Sequence, residues 1–366
     1  MPHPAVLPDF PAICGQFAFP GRFVGGRAHG SGHINDTYAV SFDQGGRSVR
    51  YVLQRINHGV FKDVPALMEN IARVCAHVAG RVADDPDAAR RGLTLMPARD
   101  GAAYCRDPEG NCWRAYRFIE RAASFDKIES PAQARIAARA FGEFQRLLAD
   151  LPAPRLRETI PDFHHTRRRF EALERAIRAD AAGRVSEAAA EIEFARRQEG
   201  LVDRLLDLQA RGDAPERITH NDTKLNNVML DDATGKALCV IDLDTVMPGL
   251  ALYDFGDMAR SATNSAAEDE TDLSRVRMQL PVFAALVEGY LGGAGPLLNA
   301  AERANLALAG RVITFEIGIR FFTDYLQGDI YFKTARPAHN LDRARNQFAL
   351  VRSMEEQKAA MEALCR

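Results

Sequence analysis

The 366-residue chain has little of several features that would place it in a special class of protein. Its six cysteines show no spacing typical of a metal site, and reduced, buried thiols are expected in a cytoplasmic protein. The formal net charge of −2 argues against a protein dedicated to nucleic acids or anionic membranes. No apolar run approaches the ~20 residues of a membrane span, and Met1–Pro8 lacks the basic and apolar regions of a signal peptide. We therefore expect a soluble, cytoplasmic protein.

Hydrophobic residues make up 46% of the chain and charged residues 26%, as in ordinary globular proteins. A chain of this length can bury a large core, which we expect to be divided between two lobes. Strand-like segments dominate residues 1–120, whereas residues 121–366 are mostly helical in pattern. The predicted fold class is α+β, with a small β-rich N-terminal lobe and a larger helical C-terminal lobe.

Hydrophobic periodicity predicts the position of the main elements. Strands and hairpins are expected at residues 30–40, 49–56, 102–119 and 228–243. Helices are expected at residues 64–79, 136–148, 163–181, 187–210, 273–291, 300–326 and 339–364, with a loop at 261–271.

The most informative segment is H-N-D-T-K-L-N-N at residues 220–227, followed after a predicted hairpin by I-D-L-D. Phosphoryl transfer from a nucleotide needs a carboxylate to orient the acceptor hydroxyl, a cation near the phosphate, and oxygen ligands for Mg²⁺. Asp222 is the candidate base and Lys224 the candidate cation, while Asn227 and Asp242 are candidate metal ligands. Either pattern alone often marks only a turn or a strand end. Their combination predicts a small-molecule kinase that uses ATP and Mg²⁺.

The turn at Gly30, Ser31 and Gly32 is the candidate segment for covering the phosphates. Glycine lets backbone N–H groups approach phosphate oxygens, although a glycine pair in a hairpin can equally be an ordinary turn. His33 follows directly, either as an exposed turn residue or as a contact to the acceptor.

No lysine is evident on the strand where protein kinases use one to bind phosphate. Gln54 and Arg55 stand there instead, and alternation along a strand puts them on opposite faces. Arg55 is the candidate phosphate ligand because a guanidinium can make a bidentate contact, with Glu69 as its partner carboxylate. Phe118 and Glu120 lie in the segment expected to connect the lobes, where backbone amides would bind adenine.

The candidate acceptor site is in the last third of the chain. Arg320 and Asp324 share a helix face, and Tyr331 follows a Gly-Asp turn. Donors, acceptors and an aromatic wall suit a polyhydroxylated ring. The alternative is an ordinary ion pair one turn apart, worth about 0.3 kcal/mol to helix stability.

The chain resembles the aminoglycoside-phosphotransferase-like kinases and, within that group, the N-acetylhexosamine 1-kinases. The resemblance extends over most of the chain. It rests on Y-V-L-Q-R-I-N at 51–57, W-R-A-Y at 113–116, I-P-D-F-H at 160–164, H-N-D-T-K-L-N-N at 220–227, V-I-D-L-D-T-V-M-P at 240–248 and G-I-R-F at 318–321.

This resemblance implies a protein-kinase-like fold and ATP- and Mg²⁺-dependent phosphorylation of the anomeric hydroxyl of GlcNAc or GalNAc. It implies that Asp222 is the base, that Asn227 and Asp242 bind the metal, and that Arg320 and Tyr331 contact the sugar. The family shares the Gln-Arg pair in place of the lysine, so this departure does not indicate an inactive enzyme.

Two alternatives stay open at this point. A kinase of the same fold could act on an aminoglycoside, glucosamine, choline or another metabolite. The loop at residues 266–270 is acidic, but it is better interpreted as a solvated segment, and Arg320 and Lys333 disfavour a cationic acceptor nearby. A non-catalytic nucleotide-binding protein is the other alternative, although the presence of all four motif residues argues against it. No nucleic-acid or membrane partner is expected, and either a monomer or a dimer is compatible with the sequence.

Overall fold

The computed structural model describes residues 7–30 and 34–366, and its contacts divide the chain into two compact units. The first unit comprises Met1–Ala123, Leu151–Ile160 and Leu230–Val246. The second comprises Ser124–Asp150, Pro161–Met229 and Met247–Arg366. The sequence analysis had placed the two later segments of the first unit in the second lobe.

Hydrogen bonds explain why these two later segments join the first unit. The side chain of Asn70 donates to the carbonyl of Arg157 at 2.8 Å and accepts its N–H at 3.1 Å. Ala122 and Ala123 form a short strand that pairs antiparallel with Leu230 and Asp231. Contacts of this kind join residues far apart in sequence, so local patterns do not reveal them.

The chain forms eleven described strands. They are β1 (Arg22–Ala28), β2 (Asp36–Gln44), β3 (Arg47–Ile56), β4 (Leu95–Met96), β5 (Cys105–Arg106), β6 (Cys112–Arg117), β7 (Ala122–Ala123), β8 (Arg217–Thr219), β9 (Val228–Asp231), β10 (Ala237–Val240) and β11 (Met247–Gly249). The main sheet has the order β1-β2-β3-β6-β4, with β5 also paired to β6, and its described pairs are antiparallel.

The hairpin of β2 and β3 is closed by Gly45 and Gly46, whose φ angles are +66° and +87°. Two successive positive φ angles suit the right-handed twist of paired strands, and glycine adopts them without steric cost. One face of the sheet buries an aromatic cluster, which also receives the first helix, α1 (Phe10–Cys14). Its larger members are Phe17, Phe19, Phe42, Tyr51 and Trp113.

The remaining described helices lie in the second unit, apart from α2. They are α2 (Val64–Arg81), α3 (Pro131–Leu148), α4 (Thr166–Ala179), α5 (Ala189–Arg197), α6 (Arg204–Ala210), α7 (Ala251–Thr263), α8 (Leu280–Ala294), α9 (Ala300–Ala304), α10 (Leu306–Gln327), α11 (His339–Glu356) and α12 (Lys358–Leu364). Helix α10 is buried on nearly every side and packs against α4, α7 and α11. A helix that is apolar all round is expected at such a central position.

Helices α3 and α8 lie unusually close together. A Cβ atom on Gly289 would stand 2.2 Å from the carbonyl oxygen of Arg135, and one on Gly293 would stand 2.2 Å from that of Arg139. Glycine at both positions is therefore required by the close approach of the two backbones.

The stretch Leu280–Leu297, with mean hydropathy 1.2, is long and apolar enough to cross a membrane by length and composition alone, and half of it is buried within the protein.

The structure confirms the α+β class and the long periodic elements β3, α2 and α3. Several predicted helices are wrong in extent: 300–326 is divided into α9 and α10, 339–364 is divided into α11 and α12, and α7 was not predicted. The predicted helix 187–210 is broken into α5 and α6 by a 3₁₀ turn that contains Gly200, a residue unfavourable within a helix. The predicted helix 273–291 starts only at Leu280, because Pro281 favours the first turn of a helix. All six cysteines are free thiols.

Candidate functional site

The 220–227 loop brings three of the predicted site residues together. The ammonium of Lys224 lies 2.9 Å from Oδ1 of Asp222. The side-chain amide of Asn227 donates to the backbone carbonyl of Asp222 at 2.8 Å and approaches its Oδ2 at 3.2 Å. The structure thus places the candidate base, the candidate cation and one candidate metal ligand in direct contact.

The backbone immediately before Asp222 has a conformation that few residues tolerate. Asn221 has a φ angle of +66°, in the left-handed region where asparagine is among the few side chains found regularly. The hydroxyl of Thr219 donates to Oδ1 of Asn221 at 3.0 Å, and Nδ1 of His220 accepts the N–H of Asp222 at 3.3 Å. Local side chains, His220 among them, therefore stabilise this turn.

Two aspartates of helix α7 hold the backbone of the 220–227 loop. Asp254 accepts the N–H groups of His220 and Asn221, at 3.0 and 2.7 Å. Asp257 accepts the N–H of Thr223 at 2.8 Å. The sequence analysis missed both aspartates, although two carboxylates one turn apart in an otherwise apolar helix were a visible signal.

The buried side chain of Arg260 continues this network. Its guanidinium lies 2.9 Å from Asp257 and 2.8 Å from Glu268. A buried carboxylate that serves as a backbone acceptor is thereby paired with a cation, which reduces the cost of burying its charge. The loop is thus tied to a side chain in the acidic segment after α7.

The charges in the 220–227 loop favour an ionised base. Burial works to raise the pKa of Asp222, but the neighbouring Lys224 ammonium, with His220 and Arg260, lowers that pKa below its usual value. The Asp222 carboxylate in turn raises the pKa of Lys224, in opposition to burial. Both groups are therefore charged near neutral pH, as a proton acceptor and a phosphate-binding cation require.

The two candidate metal ligands offer hard oxygen atoms. The amide nitrogen of Asn227 donates to Asp222, so the side-chain atom that could bind a metal ion is its Oδ1. Asp242, directly after β10, is exposed and has a φ angle of +59°. Amide and carboxylate oxygens are both ligands that Mg²⁺ prefers, and a magnesium site at these two residues stays a prediction.

The second carboxylate of I-D-L-D has a different environment. Asp244 is buried, forms an ion pair with Arg114 of β6, and accepts the amide of Asn35 at 2.6 Å. Arg114 also donates to Oε1 of Gln54 at 2.9 Å. The buried cation next to this segment is thus Arg114, to which the sequence analysis had assigned no role.

The predicted pair of Arg55 and Glu69 does not form. Arg55 makes an exposed ion pair with Asp36, its neighbour on β2, and Glu69 lies 3.4 Å from Arg157. Since Gln54 and Arg55 point to opposite faces, the face shared with Arg114 is that of Gln54. A phosphate contact by Arg55 or Glu69 stays a prediction.

Phe118 and Glu120 follow strand β6 and share one basic partner. The N–H of Phe118 donates to the carbonyl of Arg50 at 3.2 Å, and the guanidinium carbon of Arg50 lies 3.9 Å from the centre of the Phe118 ring. A hydrogen bond from Arg50 lowers the pKa of Glu120.

The predicted phosphate turn is described only in part. Gly30 has a φ angle of +77°, as expected of a turn glycine, whereas Ser31, Gly32 and His33 lie outside the described residues.

Arg320 and Asp324 of helix α10 do not pair with each other. The carboxylate of Asp324 accepts the backbone N–H groups of three successive residues, at 2.7 to 2.9 Å, and the amide of Asn340 at 2.9 Å. The three donors are Ile330, Tyr331 and Phe332. Asp324 therefore fixes the segment that carries Tyr331, and the simple ion-pair alternative is wrong.

The guanidinium of Arg320 lies instead between two aromatic rings. Its carbon atom is 4.9 Å from the centre of the Phe163 ring and 5.9 Å from that of Phe332. Within the described part of the chain, its N–H groups have no hydrogen-bond or ion-pair partner. The half-exposed ring of Tyr331 lies 4.8 Å from that of Phe332, on the same aromatic surface.

Comparison with solved structures shows what the fold is similar to. An aminoglycoside phosphotransferase from Alicyclobacillus acidocaldarius has a TM-score of 0.55 and 14% identity, over 100% of this chain and 96% of that one. An ethanolamine kinase from Plasmodium vivax has a TM-score of 0.54 and 14% identity, over 87% and 80%. A spectinomycin phosphotransferase, in complex with ADP and spectinomycin, has a TM-score of 0.54 and 13% identity, over 92% and 93%.

The model of the phosphotransferase enzyme family matches residues 25–293, which is more than half of the chain and includes the whole 220–227 loop. The solved structures agree in fold with that match. The chain therefore belongs to the phosphotransferase enzyme family and is a small-molecule kinase with a protein-kinase-like α+β fold.

Proposed function

We propose that this protein transfers the γ-phosphoryl group of ATP to the anomeric hydroxyl of an N-acetylhexosamine, GlcNAc or GalNAc, giving ADP and the sugar 1-phosphate. The resemblance of the 220–227, 240–248 and 318–321 motifs to N-acetylhexosamine 1-kinases suggests this acceptor. The observation that carries it is the Arg320 guanidinium, which lies over the rings of Phe163 and Phe332 and whose N–H groups have no hydrogen-bond or ion-pair partner among the described residues.

A guanidinium presented in this way suits an acceptor rich in oxygen. Stacking on an aromatic face restricts the side chain, so less freedom is lost when its N–H groups bind hydroxyl or acetamido oxygens. The aromatic surface beside it suits the apolar face of a sugar ring. Arg169 adds a second positive charge close to Arg320. The pKa of Arg169 is lowered, first by burial and then by the charge of Arg320.

The same positive charge argues against a cationic acceptor such as choline or an aminoglycoside. The acidic loop at residues 266–270 does not offset it, since each of its three carboxylates already has a basic partner. The partners of Glu268, Asp269 and Glu270 are Arg260, His339 and Arg275, respectively. This loop is therefore better explained as a structural contact than as a binding site for a cation.

In the proposed reaction, the oxygen of the anomeric hydroxyl bonds to the γ-phosphorus, and ADP leaves. Asp222 accepts the proton that this hydroxyl loses. An anomeric hydroxyl is more acidic than an ordinary alcohol, so Asp222 contributes mainly by orienting it. Lys224 balances the charge of the transferring phosphoryl group. Asn227 and Asp242 would hold Mg²⁺, which when bound neutralises charge on the phosphate oxygens.

The first experiment is an ADP-release assay with ATP and Mg²⁺ across GlcNAc, GalNAc, glucosamine, glucose, galactose, choline and kanamycin, with ³¹P NMR of the product. Formation of a 1-phosphate from GlcNAc or GalNAc is the expected result. Turnover only of choline, kanamycin or an unacetylated sugar would reject the proposed acceptor. Absence of turnover on every compound, with ATP still bound, would favour the non-catalytic alternative.

The role of Asp222 is tested by Asp222→Asn. We expect kcat to fall by about 10³-fold or more, with ATP binding retained, because the amide cannot accept the proton. Asp232→Asn is the matched control, since Asp232 is an exposed aspartate in the hairpin turn after β9 and should leave kcat unchanged. Near-full activity of Asp222→Asn would remove Asp222 as the base.

A further inference from the structure

A buried histidine joins the 220–227 loop to helix α10. Nδ1 of His164 lies 2.7 Å from Oε1 of Glu316, and its Nε2 lies 3.1 Å from the backbone carbonyl oxygen of Asn221. His164 is 5% exposed and Glu316 is 0% exposed. The other carboxylate oxygen of Glu316 accepts the hydroxyl of Thr166 at 2.7 Å.

The chemistry of these neighbours assigns the proton on Nε2 of the ring. A backbone carbonyl oxygen can only accept a hydrogen bond, so Nε2 of His164 donates to Asn221, while Nδ1 and the carboxyl group of Glu316 share a hydrogen between them. Burial alone would raise the pKa of Glu316, but the His164 charge and hydrogen bond, with Arg320 and Thr166, lower it. The buried polar atoms of both side chains are thereby satisfied inside the protein.

The carbonyl that His164 holds belongs to the residue whose conformation sets the direction of Asp222. The N–H of Asn221 is bound by Asp254 at 2.7 Å, and its φ angle is +66°. With the N–H bound on one side and the carbonyl bound on the other, neither peptide plane next to Asn221 can rotate freely. Because Asp222 follows Asn221 directly, this restraint on the backbone also restrains the direction of the Asp222 side chain.

The same contacts reach the candidate acceptor site. Phe163 precedes His164 in the chain, and Arg320 follows Glu316 by one turn of α10. The Phe163 ring stacks on Arg320 at 4.9 Å while His164 binds Glu316, so two adjacent residues contact two successive turns of one helix. The candidate acceptor-binding surface and the 220–227 loop are thus attached to the same short segment.

We propose that His164 is a positioning residue for phosphoryl transfer: held by its hydrogen bond with Glu316, it fixes the Asn221 carbonyl and thereby the direction of the Asp222 carboxylate. The inference rests on the proposed role of Asp222 as base. It requires neither a particular sugar nor any contact between His164 and the substrates.

Two substitutions of similar size separate the two contacts of His164. The amide nitrogen of Gln can take the place of Nε2, whereas that of Asn can take only the place of Nδ1. We expect His164→Asn to lower kcat by roughly 10- to 100-fold while KM for ATP stays within about twofold, because the base is misdirected. His164→Gln should retain kcat within about threefold, since a donor to the Asn221 carbonyl remains.

The control variant is Thr166→Val, which removes the second hydrogen bond to Glu316 without altering the contact to the loop. It should lower the melting temperature yet leave kcat unchanged, so it separates lost stability from lost positioning. If both histidine variants are too unstable to assay, Glu316→Gln replaces them and should lower kcat with unchanged KM for ATP.

Equal kcat values for His164→Asn and His164→Gln, or a change in KM for ATP alone, would overturn the inference. The assay uses whichever acceptor the wild-type protein phosphorylates, so an incorrect sugar assignment does not affect it. Loss of activity in Asp222→Asn together with full activity in His164→Asn would leave the proposed function intact and reject only this inference.

Discussion

The carboxylate of Asp254 accepts the backbone N–H of Asn221 at 2.7 Å. Its second oxygen accepts the N–H of His220 at 3.0 Å, so a single side chain on a buried helix orients two successive peptide groups just before the candidate base. The amide of Gln145 donates to the same carboxylate. Charge-assisted hydrogen bonds of this type are stronger than neutral ones, and the loop is therefore rigid before any substrate binds.

Replacement of Asp254 tests this rigidity. Asp254→Asn keeps one acceptor oxygen but turns an NH₂ group toward a backbone or amide donor. We expect the free energy of unfolding to fall by about 2 kcal/mol, because a buried donor loses its partner. We also expect kcat to fall by at least about tenfold, because the loop is displaced. Urea unfolding and steady-state kinetics measure the two effects.

Thr263→Val is the control for this experiment. Thr263 lies on the same helix, is fully buried, and donates its hydroxyl to the carbonyl of Ala259 at 2.7 Å, away from the loop. Its kcat should match that of the wild type. If Asp254→Asn loses stability but keeps full kcat, the anchoring of the loop has no influence on chemistry.

The buried pair of Arg114 and Asp244 is expected to be costly to break. Arg114→Met leaves Asp244 buried without its cation and should reduce the free energy of unfolding by about 3–5 kcal/mol. Arg55→Met, which removes the cation of an exposed pair with Asp36, should cost no more than about 1 kcal/mol. Chemical unfolding of the two variants checks the comparison, and similar losses would contradict it.

A double substitution gives a sharper test of the same pair. In Arg114→Met with Asp244→Leu, both charges are absent, so the penalty for an unpaired buried carboxylate disappears. The double variant should therefore be more stable than Arg114→Met alone. Additive losses from the two substitutions would mean that the two side chains do not interact.

The stability contributed by Glu316 should depend on pH at the acidic end. Although burial works in the opposite direction, the His164 contact holds the pKa of Glu316 below its usual value of 4.5. A carboxyl group whose pKa is lowered on folding stabilises the protein above its unfolded pKa and loses that effect as the pH falls through the folded value. The free energy that separates the wild type from Glu316→Gln should therefore shrink as the pH falls below about 5. Unfolding titrations from about pH 3 to pH 7 measure this difference, and a gap that widens toward acid would contradict the assignment.

Asp324 should influence binding of the acceptor more than the chemical step. Asp324→Asn weakens the hydrogen bonds from the N–H groups of residues 330–332, which position Tyr331. We expect KM for the acceptor to rise by about tenfold, with a smaller change in kcat. Hydrogen exchange at these three amides should become faster in parallel.

Asp342→Asn, which alters an ion pair with Arg336 near the start of α11, serves as the control and should leave both kinetic constants unchanged. An unchanged KM in Asp324→Asn, with faster amide exchange, would show that the 330–332 segment does not contribute to acceptor binding.

The 220–227 loop could be predicted because its chemistry is local. Asp222, Lys224 and Asn227 lie within a few residues of each other, and the tight loop that joins them also places their side chains in contact. The long periodic elements were predictable for the same reason, since burial of one helix or strand face leaves a regular pattern in the sequence.

The partners of buried charges were not predictable in this way. Arg114 stands opposite Gln54 across the β3–β6 pair, and only knowledge of that strand order shows that the two side chains share a face. His164 and Glu316 are likewise joined by packing between distant segments. Sequence alternation correctly separated Gln54 from Arg55, but it could not identify which basic residue would meet Asp244.

The successive turns of helix α10 have separate tasks, with Glu316 directed to the 220–227 loop and Arg320 and Asp324 to the candidate acceptor surface. This division separates the candidate acceptor surface, formed by α10 and the segment after it, from the part of the helix that holds the loop. Variation confined to Arg320, Tyr331 and Phe332 would alter the surface offered to the acceptor while the His164–Glu316 contact stays in place. A library limited to those three positions would therefore explore new acceptors on a fixed phosphoryl-transfer framework.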